Sequence, residues 1–452
     1  MRGTMKGILL GSTALLTSGL AVTPALAADP IKINVGGYYI FYALTGAIEG
    51  TYALNGTSTQ YKGVQFIQEG EIHFTGETKL DNGTSIGIQV QLEGWDPSTA
   101  NGNRQIDEAY LFAYGDWGRV EFGARDPAGY RMWYGAPSAL IEFGFLQHNT
   151  NFLWANASAA ANNKAALHVT GADIGMQVQD ANRINYFTPR VYGLQLGVGY
   201  APKWNPSGNF PTSGPSANFN NTCGFNDATT ANGCPTNDYS FQDMIDVAVN
   251  YVNKFGDVSV AAYGAFLYSS FVPGFSPFPA AANLISGQNL TSLKQWVVGL
   301  QLNYAGFTIG GNVGYDNNGQ GSNYYTGVDN DTRFYAASIM YSTGPWQFSA
   351  GWEGSYNNNG NGSLSVVSIA PGTNAQTLGA AASKAVYFGN NPAAGAARFG
   401  GESAQKFEVG ANYLLGPGIH VTGGAIVYNY SGPSNAVVGQ SWGILLGMDF
   451  RF

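Results

Sequence analysis

The chain has 452 residues with 63 glycines, 14% aromatic and 11% charged residues, close to twice the usual glycine share and less than half the roughly 25% charge of a soluble domain. Its 20 Lys and Arg face 28 Asp and Glu, a formal charge of −8, and an acidic chain with few basic clusters is a poor nucleic-acid binder. Low charge with many aromatics fits either a very large soluble core or an outer surface that faces lipid.

Residues 1–27 read as a secretory signal peptide. Arg2 and Lys6 give a basic start, Ile8 to Val22 a short apolar stretch, and Ala25-Leu26-Ala27 a small-x-small cleavage site. Its loss leaves 18 basic against 28 acidic residues, a mature charge of about −10. Beyond it the sequence has no run of about 18 apolar residues, the length a spanning helix requires. A place in a membrane would therefore demand a closed barrel, because only helices and closed barrels satisfy every backbone group in lipid.

Period-2 alternation recurs along residues 28–452. Ile86, Ile88, Val90 and Leu92 oppose Ser85, Gly87, Gln89, Gln91 and Glu93. Residues 106–126, IDEAYLFAYGDWGRVEFGARD, hold two strand-like runs about the tight turn Gly115 to Gly118, and the next clear strand begins at Arg183. A connection that long is a functional element or a disordered segment. Further on, Trp296, Val298, Leu300, Leu302 and Tyr304 share one face, as do Phe307, Ile309, Val313 and Tyr315, then Phe407, Val409, Ala411 and Tyr413. The last strand sets Trp442, Ile444, Leu446, Met448, Phe450 and Phe452 against Ser441, Gly443, Leu445, Gly447, Asp449 and Arg451. Such strands suit a wall between lipid and a watery lumen. A soluble sandwich also alternates, but it does not usually end so many apolar faces in aromatics, as Trp296 and Tyr304 do, which is the pattern of a girdle.

Connections alternate in length. Short Gly, Pro, Asn and Asp turns fall at 81–83, 115–118, 188–193, 254–256, 305–306, 342–345 and 416–418. Long polar loops fall at about 51–62, 96–105, 126–182, 202–242, 270–293, 316–330, 356–404 and 431–440. Seven short turns and eight long loops imply sixteen antiparallel strands with both chain ends on the short-turn side. Eighteen is the alternative, since 356–404 contains SLSVVSIA and KAVYFG. Cys223 and Cys234, close together in the loop 202–242, suit one disulfide in an exported chain.

The stretch 106–126 resembles the fourth-strand, turn, fifth-strand signature of Gram-negative general porins. Residues 182–202, NRINYFTPRVYGLQLGVGYAP, resemble the strand pair after their constriction loop. The leader, the opening IKINVGGYYIFYA and the ending GILLGMDFRF agree. The resemblance implies a homotrimer of sixteen-stranded outer-membrane barrels passing ions and small hydrophilic solutes by passive diffusion. It also implies a third loop folded inward and a terminal aromatic, Phe452, read by the barrel assembly machinery.

Selectivity needs charges on lumen-facing positions where a channel is narrow. The third loop offers Asp126, Arg131, Glu142, His148, Lys164, Asp173 and Asp180, and the wall offers Glu69, Glu71, His73, Lys79, Glu93, Lys406, Glu408 and Arg451. Arg125 and Arg183 have inward phase. By analogy with the family, Asp126 and Glu142 are loop-side acids facing the wall-side bases Arg125 and Arg183, with Arg131 beside them. The aromatics of 130–154 admit a second reading as a sugar slide. No nucleophile elbow, HExxH or phosphate loop is found, so no enzyme and no obligatory cofactor is expected; Asp329, Asn330 and Asp331 offer oxygen ligands for Ca²⁺. The expected function is a diffusion porin. The rivals are a sugar- or anion-selective channel, and a structural or adhesive barrel whose long loops bind a partner.

Overall fold

A computed structural model describes residues 30–52, 57–95, 106–141, 181–203, 240–272, 291–317, 331–357, 402–431 and 437–452. Among them sixteen strands, all antiparallel, close into one barrel. In chain order they are β1 (Lys32–Tyr52), β2 (Thr57–Lys79), β3 (Ser85–Trp95), β4 (Ile106–Gly115), β5 (Gly118–Ala124), β6 (Asn182–Phe187), β7 (Leu194–Lys203) and β8 (Ser240–Phe255). There follow β9 (Val258–Val272), β10 (Leu293–Tyr304), β11 (Phe307–Asp316), β12 (Thr332–Thr343), β13 (Trp346–Asn357), β14 (Glu402–Gly416), β15 (Ile419–Ser431) and β16 (Val437–Arg451). One helical turn, α1 (Ala128–Arg131), follows β5.

The ring is closed by β1 on β16, in register from Tyr38↔Arg451 to Tyr52↔Val437. At its lower end Gly37 N donates to Phe452 O (2.9 Å) and Phe452 N to Gly37 O (3.1 Å). Each short turn expected from the sequence joins two neighbouring strands. In the β10–β11 turn, Ala305 and Gly306 both have positive φ (52° and 84°), which the tightest two-residue hairpin requires. The first long loop is shorter than the polar run 51–62 suggested. The β1–β2 ladder carries on to Tyr52↔Thr57, because alternating pairing continues past the last clear apolar residue.

The outward face is the apolar one. Trp296, Val298, Leu300, Leu302 and Tyr304 are all exposed, whereas Gln295 and Val297 are buried. Trp296 stacks on Tyr315 at one end of the β10–β11 pair (6.3 Å), and Phe307 packs on Tyr341 at the other (4.5 Å). Eight residues at about 3.4 Å, tilted by about 40°, separate the two aromatic levels by about 20 Å along the membrane normal. That is close to the height of a lipid-facing apolar band.

Two bulges interrupt the pattern on one side of the barrel. In β3, Gly94 is inserted between Glu93, opposite Glu71, and Trp95, opposite Gly70. In β4, Asp107 and Glu108 together oppose Gln91. A bulge re-aims side chains, and here it lets Ile106 stay outside while Glu108, two residues later, is buried within.

Orientation of the faces is testable by charge insertion. Leu300→Arg, at mid-height on the lipid side, is expected to cost about 2–4 kcal/mol, and Tyr304→Arg, at the turn end, at most about 1 kcal/mol. Reversible guanidinium unfolding in vesicles measures both, and equal costs would contradict the assignment of faces.

Candidate functional site

The site grows out of the end of β5. Strand phase turns Arg119, Glu121, Gly123 and Arg125 inward and Phe122 outward. Pro127 then fixes the entry to α1, whose single turn buries Ala128 and Gly129. From Met132 the chain has no regular structure, so its backbone groups need partners from elsewhere.

Side chains of the inner wall supply them. Asp246 on β8 accepts from Gly129 N (2.9 Å), and Tyr263 on β9 donates to Gly129 O (2.6 Å). Asn250 on β8 donates to Met132 O (3.2 Å), and Gln301 on β10 to Gly135 O (2.8 Å). Asn312 on β11 accepts from Ala136 N (3.4 Å), and Ser338 on β12 donates to Pro137 O (2.6 Å). Ser349 on β13 accepts from Ala139 N (2.9 Å), and Ser138 Oγ donates to Glu408 on β14. Tyr42 on β1 donates to Ile141 O (3.0 Å). Residues 127–141 therefore form a collar that follows the inner wall from β5 round to β1.

Glycines on the wall make room for it. A Cβ at Gly299 would lie 1.9 Å from Tyr134 O, and one at Gly310 2.5 Å from Gly135 O. Leu140 fills the space over Gly410 and Gly424, at 2.6 and 2.7 Å from the Cβ positions, and Met132 Sδ lies 2.4 Å from that of Gly197. Any side chain at these positions would displace the collar.

The charged groups fall into three sets. On β4 and β5, Arg125 pairs with Glu108 and lies 3.8 Å from Glu121; Arg119 Nε donates to Glu121 (2.6 Å), and Arg131 also pairs with Glu121. The inward rings of β4 lie against the guanidiniums, with Arg125 4.7 Å over Tyr110 and Arg119 4.5 Å over Phe112. Arg131 lies 4.9 Å over Phe187 on β6. The second set is acidic. Tyr38 Oη on β1 lies 3.0 Å from both Glu69 and Glu71 of β2 and shares its one proton between them, and His73 Nε2 lies 2.7 Å from Glu71. Glu93 stands opposite Glu71 in the ladder, and Asp107 lies within the field of Glu71, Glu93 and Asp126. The third set lies beneath the collar: Arg183–Asp246 at 3.3 Å, and Lys406 at 2.9 Å from Glu353 and 3.9 Å from Glu408.

The expected site residues are thus distributed unevenly. Arg125 and Arg131 come together on Glu121, which the sequence reading left out, along with Arg119 and Glu108. The spacing Arg119, Glu121, Arg125 was a usable signal for the first two; Glu108 was hidden by the bulge. Asp126 follows the cluster with its backbone N donating to Glu108 (3.2 Å) and its carbonyl accepting from Asn185 (2.9 Å). Burial raises the pKa of its carboxyl, against the pull of Arg125 and Arg183. Arg183 faces inward but is only 3% exposed and is held by Asp246, so it anchors α1 rather than presenting its charge across the lumen. Lys406 and Glu408 also face inward and are covered, at 0% and 2% exposure. Glu69, Glu71 and Glu93 are partly exposed, and Lys79 is exposed at the turn end of β2. Glu142, His148, Lys164, Asp173, Asp180, Cys223, Cys234 and Asp329 lie outside the described residues.

A family model described as Gram-negative porin matches residues 11–433. The chain belongs to the Gram-negative porin family. An uncharacterized protein of Rickettsia typhi is 22% identical over 383 residues, 75% of this chain and 84% of that one. An uncharacterized protein of Rickettsia prowazekii is 23% identical over 384 residues, with the same coverage. Among solved structures, the porin is similar to an anion-selective porin from Comamonas acidovorans (TM-score 0.49, 12% identity, 93% of this chain and 100% of that one). It is also similar to the outer membrane channel DcaP of Acinetobacter baumannii (0.49, 12%, 94% and 98%).

Seating of the collar gives a direct test. Gly299→Val should unseat it and raise the porin's single-channel conductance. Gly264→Val, where the nearest atom is 3.7 Å from the Cβ position, should leave conductance unchanged. Identical currents from both variants would contradict the seating.

Proposed function

We propose that this outer-membrane porin is a water-filled channel through which ions and small hydrophilic solutes diffuse passively. The observation that carries the reading is the collar: a closed sixteen-stranded barrel whose polar inner face is narrowed by a chain segment bonded to it. Barrels of about eight strands are filled by their own side chains, whereas sixteen leave room for water. Export by a cleaved leader (residues 1–27), insertion by the outer-membrane assembly machinery and assembly as a homotrimer belong to the same proposal. A trimer form of OmpT from Vibrio cholerae, among the similar structures, is in keeping with the last.

The charge arrangement supports a weak preference for cations. Arg119, Arg125 and Arg131 are drawn onto Glu108 and Glu121, and Glu69, Glu71 and Glu93 stand beside them on β2 and β3. Net acidic lining raises the local cation concentration, and salt screens the effect.

Planar-bilayer recording of the purified full-length protein tests the channel. Large openings that close in three equal steps are expected, and a barrel that carries no current would favour a structural or adhesive role. In a salt gradient, Arg125→Ala should move the reversal potential toward the cation side, since it leaves Glu108 and Glu121 less compensated. An unchanged potential would remove Arg125 from the conducting path.

A further inference from the structure

Beneath α1, on the short-turn side of the collar, lies a cavity of about 560 Å³ between the β4–β5 turn and the β6–β7 connection. Arg119, Arg131 and Arg190 line it together with Tyr114, Trp133 and Tyr134. That volume is in the range of pockets that hold small organic ligands.

Its charge is unbalanced. Arg119 and Arg131 share one carboxylate, Glu121, and Arg190 pairs with no carboxylate among the described residues; Tyr114, which also lines the cavity, donates to Glu77 (2.6 Å). Arg190 instead donates to Gly193 O (2.6 Å) and Gln195 Oε1 (2.9 Å). Burial, followed by repulsion from Arg125, lowers the pKa of Arg131 against the pull of Glu121.

Its cations are also held in place. Arg119 lies 4.5 Å over Phe112 and 5.6 Å over Tyr114, and Arg131 lies 4.9 Å over Phe187. Each uses one edge on Glu121. A guanidinium stacked on a ring keeps its free edge for a carboxylate and loses little freedom on binding one. The neighbouring rings of Tyr114, Trp133 and Tyr134 offer flat apolar surface at the same cavity.

We propose that this cavity is a binding station for small aromatic carboxylates of the size of benzoate, with Arg119 and Arg131 on the carboxylate and the Tyr114, Trp133 and Tyr134 rings around the ligand ring. It rests on the channel reading only for the route by which the ligand arrives. A station of this kind would delay an aromatic acid at the short-turn mouth while inorganic ions pass.

Isothermal titration of the full-length protein in detergent tests this without requiring conduction. The probes are benzoate, acetate (charge without a ring) and benzyl alcohol (ring without a charge). Benzoate should bind at least about tenfold more tightly than either. Arg119→Gln should weaken benzoate about tenfold or more, and Tyr114→Leu should bring benzoate down to acetate's affinity while acetate is unchanged. Arg131→Gln serves in place of Arg119→Gln if that variant fails to fold as a heat-modifiable barrel. Benzoate binding no tighter than acetate, or unchanged in the folded variants, would overturn the proposal. In bilayers, KCl conductance with no benzoate binding would defeat this inference alone, whereas benzoate binding without conductance would defeat the channel reading alone.

Discussion

In lipid, water cannot satisfy a backbone N–H or C=O, so each must find its partner within the protein. The whole arrangement follows from that constraint. A sheet with edges fails it, and the chain meets it by returning β16 to β1, where Gly37 and Phe452 exchange two hydrogen bonds. Once the ring is closed, each strand has one face toward lipid and one toward the interior. The apolar outward rows and the aromatics at both ends of β10 and β11 are the surface that such a ring needs.

The same demand recurs inside. Residues 132–141 have no ladder of their own, so the wall must satisfy their amides and carbonyls. The interior is accordingly supplied with buried Asn250, Asn312, Ser338 and Ser349, each bonded to the collar's backbone. Glycines opposite the collar complete the fit by allowing backbone to approach wall. Charge is handled likewise: Asp246 serves both Arg183 and the amide of Gly129, which ties the ionic layer to the position of α1.

Much of this was legible in the sequence because a strand has period 2 and a membrane supplies two distinct solvents. Trp296 to Tyr304, Ser441 to Phe452 and the short turns required only that alternation. That legibility ends where the period breaks. With Ile106 outside, strict alternation would put Glu108 outside as well, and only the bulge opposite Gln91 turns it in. Pairing was equally out of reach. Inward phase marked Arg183, but nothing local reveals that Asp246, 63 residues later, neutralises it. Nothing local marks Gly299 and Gly410 either, since their purpose is set by Tyr134 and Leu140, which the chain brings to them from far away.

The central claim is that residues 127–141 are seated on the inner wall in the membrane-inserted protein. Ala139 N lies 2.9 Å from Ser349 Oγ, so a cysteine pair at these two positions tests it, in a background with Cys223 and Cys234 replaced by serine. Under mild oxidation in vesicles, Ala139→Cys with Ser349→Cys should form a disulfide and leave the open-channel conductance unaltered. Two free thiols that both react with a bulky aqueous maleimide would contradict the account.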